Sequence, residues 1–128
     1  VGPAPESMDQ LGDKIAAKNL ARRVGVPLIQ DSDKDISNPK VAVAEAAKIG
    51  YPVIIKAASG GGGRGMRVVR DEKSLKIEVV EAASEAEKAS GDGTIVLEKF
   101  LKQPSHIEGQ LLGDRHGTLY HLYAVSDT

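Results

Sequence analysis

The sequence predicts an α+β fold in which some strands follow one another directly. Three observations carry this. Apolar residues recur at helical spacing over 13–24, 39–49 and 72–86, the first two stretches bounded by Gly or Pro. Short β-rich runs at 53–57, 66–70 and 94–98 separate the later helices. Two further runs, 107–112 and 118–123, are joined only by 113–117, which reads as a hairpin. The order is α-β-α-β-β-α-β-β-β, and the adjacent strands exclude a strictly alternating parallel sheet.

The elements follow in order. Residues 1–11 are a Pro-rich lead-in with a short helical turn. Ile15, Ala16, Leu20 and Val24 give 13–24 one apolar face, and Gly25 and Pro27 end it. Residues 26–29 read as a short strand and 30–36 as a polar loop. A helix starts after Ser37 or Asn38, with Pro39 suited to its first turn and Gly50 closing it; Val41, Ala44, Ala47 and Ile49 are its expected face. Tyr51-Pro52 then forces an extended entry into 53–57. Asp71 is placed to cap a long helix whose face is Leu75, Val79, Ala82, Ala83 and Ala86, and 91–93 forms a turn.

Composition narrows the function. A chain of 128 residues fits one domain with a real core, and 41% apolar with 27% charged residues excludes a disordered tail or a collagen-like repeat. Its strongest apolar run, Val53-Ile54-Ile55, is broken by Lys56, far short of the ~20 residues a bilayer span needs. A net charge of −1 gives no global field for nucleic acid or an anionic membrane, so any anion site is local. Cysteine is absent, which removes disulfides, thiolate zinc sites and cysteine nucleophiles and fits a reducing compartment. One Phe and three Tyr are too few for a single-strand stacking platform. The chain begins at Val1 with no signal-peptide pattern and stops just past a strand-like run, so a piece of a longer polypeptide is expected.

Glycine is the outlier, with 14 residues, and Gly60, Gly61, Gly62, Gly63 and Gly65 cluster around Arg64. The cluster satisfies G-x-G-x-x-G, but a dinucleotide fold needs a helix after it, and here a strand-like run follows. A Walker loop needs Lys and Ser or Thr after its last glycine, and Met66 stands there. What remains is strand, glycine loop, strand: a hairpin lid whose backbone N–H groups can converge on phosphate, against the bland alternative of a floppy tip. Lys56, on the same strand face as Ile54, supplies a nearby ammonium that wants a counter-charge. Arg64 and Arg67 are further candidate phosphate contacts, with a solvated surface the plainer reading of Arg67.

The stretch YPVIIKAASGGGGRGMRVV over 51–69 closely resembles the ATP-grasp lid of biotin carboxylases, the biotin-carboxylating parts of acetyl-CoA, propionyl-CoA and pyruvate carboxylases. Gly2-Pro3 with Leu11-Gly12-Asp13-Lys14 is similar to the segment where that family's N-terminal domain hands over to the lid. Leu97-Glu98-Lys99-Phe100-Leu101 and Pro104-Ser105-His106-Ile107-Glu108 resemble its strand and crossover into the large domain. The resemblance covers nearly the whole chain, to about Tyr123. Gly109 and the ending Ala124-Val125-Ser126-Asp127-Thr128 depart from the family's pattern.

The resemblance implies a ligase component that uses ATP and bicarbonate to carboxylate biotin through carboxyphosphate. It implies linker helices over 1–26, an ATP-grasp lid subdomain over 27–102, and the first strands of the large ATP-grasp domain over 103–128. Carried over by position, Lys14 and Lys56 match lysines on ATP phosphates, and Gly60, Gly61, Gly62, Gly63, Arg64 and Gly65 match the lid loop. Glu98, Lys99 and Leu101 match the segment that reads adenine, and His106 a histidine near the nucleotide. The magnesium ligands and catalytic residues are expected beyond Thr128, so the isolated chain is expected not to turn over. Implied partners are bicarbonate, a biotin carrier domain and a carboxyltransferase, in cytoplasm or mitochondrial matrix. The alternatives are the lid of another ATP-grasp ligase, or a nucleotide-binding module without catalysis.

Overall fold

The computed structural model describes residues 1–59 and 65–126. Four helices, α1 (Pro5–Gly12), α2 (Lys14–Arg23), α3 (Pro39–Ile49) and α4 (Glu72–Ser90), accompany five strands, β1 (Val53–Ala57), β2 (Arg67–Val69), β3 (Ile95–Lys99), β4 (Ile107–Gly113) and β5 (Leu119–Ser126). The α+β class stands as expected.

The sheet is ordered β2-β1-β3, and β1 runs antiparallel to both neighbours. Strand, glycine run, strand is thus an antiparallel ribbon: Val53 pairs with Val69 and Ile55 with Arg67. Helices α3 and α4 pack against one face. Ala42, Ala46 and Ile49 from α3 meet Leu75, Val79, Ala82 and Ala86 from α4 over Val53, Ile55, Val69, Ile95 and Leu97. Alternation along the strands sends these apolar residues to the helices and leaves Ile54, Lys56, Val96 and Glu98 on the opposite face.

Local chemistry sets the helix ends. The side chains of Asp13, Asn38 and Asp71 accept from the backbone N–H groups of Ala16, Lys40 and Ser74, at 2.8, 2.9 and 2.8 Å. Gly91 closes α4 in the left-handed conformation at φ 75°, where its N–H reaches Glu87 O at 2.7 Å.

Two expectations are corrected. Residues 26–29 form no strand: Pro27 has no N–H to give, and pairing with β3 begins only at Gln30. The inward face of α3 is Ala42, Glu45, Ala46 and Ile49, while Ala44 and Ala47 are exposed and Val41 is half-buried. A run of Ala and Val gives little contrast between faces, and Glu45 is drawn inward by Lys34 at 3.1 Å and Lys48 at 3.4 Å.

The supposed loop 30–36 runs along the outer edge of β3 as an irregular fourth member. Gln30 O accepts from Lys99 N at 2.8 Å, Ser32 N donates to Leu97 O at 2.9 Å and Ile36 N to Ile95 O at 2.9 Å. Side chains complete the ladder: Ser32 Oγ accepts from Leu97 N and Asp35 Oδ1 from Ile95 N, both at 3.1 Å. Hairpin β4–β5 is separate. Its register shifts between Gly109 and Leu111, and Ala124, Val125 and Ser126 continue the pairing. All its described residues are exposed, and α1 and α2 also carry no buried residue.

Candidate functional site

The sheet face left by α3 and α4 is lined on one side by α2. Between them lies a cleft bounded by Lys14, Lys18 and Arg22 from α2, by Asp31, and by Lys56, Val96 and Glu98 from the sheet. The helical period explains the α2 contribution, since Lys14, Lys18 and Arg22 are spaced four apart and form one basic ridge. The strand period explains Lys56 and Glu98, which occupy the same face of β1 and β3.

Charge organises the cleft. Glu98 accepts from Lys56 Nζ on Oε2 at 2.6 Å and from Lys18 Nζ on Oε1. Lys18 also reaches Asp31 Oδ2 at 2.7 Å, and Arg22 pairs with the other oxygen of Asp31. The Glu98 side chain is 11% exposed and that of Asp31 4%. Burial pushes the Glu98 carboxyl up, yet the hydrogen bonds and charges of Lys18 and Lys56 outweigh it and hold it below the ordinary glutamate value. Burial pulls the Lys18 ammonium down, and its bonds to Asp31 and Glu98 more than reverse that. Four basic side chains thus face the acidic Asp31, Asp33 and Glu98, and the balance at the cleft is positive.

The expected site residues divide. Lys14, Lys56 and Glu98 meet at this cleft. Lys14, in the first turn of α2, also borders a second depression with Gly12, Asp13, Ala58 and Ser59, at the end of β1 where the glycine run begins. Gly60, Gly61, Gly62, Gly63 and Arg64 lie outside the described residues. Gly65 stands two residues before β2 at φ 71°. Lys99 faces the other way: its Nζ donates to Gly50 O at 2.9 Å and Tyr51 O at 3.1 Å, carbonyls at the end of α3. Of the backbone amides leaving β3, Lys99 N serves Gln30 and Phe100 N serves Pro52 O at 3.2 Å; Leu101 follows and is exposed. His106 lies before β4 beside Glu108, 3.1 Å away, and is not among the cleft's lining residues.

Arg67 lies partly exposed at the surface, paired with carboxylates, and is not among the cleft's lining residues. Its guanidinium binds Glu78 at 2.5 Å, Glu81 at 2.9 Å and Glu85, a carboxylate row on α4, and these partners raise its already high pKa further. Sequence reasoning missed Lys18, Arg22 and Asp31. The four-residue spacing from Lys14 was the available signal for the two basic residues; nothing local marked Asp31.

The sequence model of the family described as carbamoyl-phosphate synthase L chain, ATP binding domain, matches residues 13–126, and the chain belongs to that family. Within the family its likeness is to biotin carboxylases. The Campylobacter jejuni biotin carboxylase, solved as a β,γ-ATP complex, superposes with a TM-score of 0.85 at 49% identity, over 94% of this chain and 27% of that one. The biotin carboxylase domain of Hydrogenobacter thermophilus 2-oxoglutarate carboxylase, solved with MgADP, ADP and bicarbonate, gives 0.88 at 42% identity, over 96% and 27%. Pyruvate carboxylase of Aspergillus terreus is 48% identical over 123 residues, and the mitochondrial pyruvate carboxylase of Mus musculus is 45% identical over 123. Those matches span 96% of this chain but 10% of each relative, so the chain covers about a tenth of the length of the curated relatives it matches. The fold is that of the biotin carboxylase ATP-grasp domain, as the lid motif implied.

Proposed function

We propose that this chain is the nucleotide-holding lid region of a biotin carboxylase. One observation carries the reading: Lys14 and Lys56, from distant parts of the sequence, meet in a net-basic cleft at the foot of the ribbon that bears the glycine run. In this reading the two ammonium groups neutralise the ATP phosphates and the glycine-loop amides cover them. Glu98, the Lys99 backbone and Leu101 lie along the adenine, the Lys99 ammonium staying on the carbonyls of Gly50 and Tyr51, and His106 approaches once the large domain closes. A bicarbonate oxygen takes the terminal phosphoryl group, ADP leaves, carboxyphosphate splits into carbon dioxide and phosphate, and a biotin nitrogen bonds the carbon dioxide as its proton passes to the released phosphate.

The division is 1–26 as linker, 27–102 as lid subdomain and 103–128 as the start of the large domain. In support, the buried apolar cluster runs only from Ile36 to Leu97, and the hairpin adds nothing to it. Among the described residues no three His, Asp or Glu side chains gather as a metal cage, so no step is assigned to a metal held by this chain. Magnesium accompanying the nucleotide would take its protein ligands from elsewhere in the intact protein. A biotin carrier domain and a carboxyltransferase complete the assembly, in cytoplasm or mitochondrial matrix; no helix among the described residues is long and apolar enough to cross a membrane.

Calorimetric titration of the intact protein with MgATP tests this. Saturable binding is expected, weakened about tenfold or more by Lys56→Met, since a charged contact to phosphate is lost. ATP cleavage by the intact protein should depend on bicarbonate, and the isolated 128 residues should cleave none. Binding indifferent to Lys56→Met would overturn the proposal.

A further inference from the structure

Lys56 is already engaged before any phosphate arrives. Its ammonium lies on Glu98 Oε2 at 2.6 Å, and Glu98 is almost wholly buried. A nucleotide that claims Lys56 must draw it off that carboxylate. A buried carboxylate stripped of its partner is costly, so a simple Lys56–Glu98 pair would compete with the ligand. The pair is not simple. Lys18 holds the other oxygen, Oε1, so the carboxylate keeps one ammonium partner when the other leaves.

Resting on the function proposed above, we propose that Lys18 is a positioning residue for nucleotide binding: by holding Glu98 it lets Lys56 exchange a carboxylate for a phosphate. Asp31 supports the arrangement. Its Oδ2, 2.7 Å from Lys18 Nζ, gives that ammonium a second anchor, while Arg22 occupies Oδ1 and fixes the Asp31 side chain. Lys18 therefore stays when Lys56 moves. The bland alternative is that Lys18 only docks α2 on the sheet, and it makes a different prediction. Docking is lost with Lys18 whatever stands at position 98, whereas relief of competition matters only while position 98 is charged.

The experiment is a double-mutant cycle on the intact protein, read as the MgATP dissociation constant by calorimetry. In the native background Lys18→Met is expected to raise the constant about tenfold, as Glu98 is left to Lys56 alone. In the Glu98→Gln background the same substitution is expected to change it less than about twofold, because the amide makes no charge claim on Lys56. Lys18→Arg is expected to recover most of the loss, since a guanidinium can hold the same two carboxylates. Equal losses in both backgrounds, no loss in the first, or no recovery with Arg would each overturn this inference alone. An unsubstituted protein that does not bind MgATP overturns the proposed function and this inference with it.

Discussion

Lys56 Nζ and Glu98 Oε2 lie 2.6 Å apart although the residues are not opposite in register: Lys56 faces Val96, and Glu98 faces Ile54. Two residues of offset on one face of adjacent antiparallel strands is a diagonal that long side chains span. The contact is therefore fixed by sheet register, and a one-residue slip of either strand would send that strand's charge into the apolar layer beneath α3 and α4.

That pairing carries a pH signature. Because Glu98 titrates below its ordinary value of 4.5, its stabilising contribution is complete above that pH and is lost as pH falls through the lower, folded value. Lys18 titrates above its ordinary 10.5, so its share is complete below that pH and is lost only as pH rises through the higher, folded value. The network is thus intact across neutrality and fails first in acid. Urea denaturation between about pH 3 and pH 7 should show stability falling less steeply in Glu98→Gln than in the unsubstituted protein. Identical acid slopes would refute the assignment.

Ser32 substitutes for a missing ladder acceptor. It is 1% exposed, its Oγ takes the Leu97 N–H, and its hydroxyl proton goes to Lys34 O at 2.9 Å. Ser32→Ala leaves a buried N–H without a partner, and a loss of about 1–3 kcal/mol in unfolding free energy is expected. Cysteine, close in size but a weak acceptor, should recover little of it.

Leu75, fully buried, projects from the first turns of α4 into the layer shared with α3 and the sheet. Truncation to alanine should cost about 2–5 kcal/mol, with a loss near the lower bound showing that the small α3 residues collapse into the space. Ile77, 56% exposed on the same helix, should tolerate the same change within about 0.5 kcal/mol.

Under the proposed function, Arg67 is a structural cation and Lys56 a ligand-directed one, and their substitutions should differ accordingly. Arg67→Ala abandons three carboxylates to one another and should destabilise by about 1–2 kcal/mol, less at high salt, where their repulsion is screened. Its effect on the MgATP dissociation constant should be several-fold smaller than that of Lys56→Met. The reverse order would place Arg67 on the nucleotide.

Much of this was legible in the chain. Asp13, Asn38 and Asp71 mark helix starts, and the capping bonds form where those residue types stand. The ribbon β1–β2 follows from two β-rich runs around a glycine tract too awkward for a helix, and the period of two places Lys56 away from the core. What escaped depends on tertiary partners. Segment 30–36 reads as loop because two of its five hydrogen bonds with β3 use side-chain oxygens, which leave no alternating pattern. The α3 face was misjudged because alanine is nearly indifferent to burial and the partners of Glu45 lie on two segments. Asp31 joins the cleft only because α2 turns back beside the strip at the β3 edge, a placement no local spacing encodes.

That strip has a bearing on how the molecule behaves in a crowded solution. The outward amides of Ile95, Leu97 and Lys99 are each already occupied, by Asp35, Ser32 and Gln30. A stray extended peptide meets no vacant donor row on that border of β3, so strand addition to those amides is blocked without a proline within β3 itself.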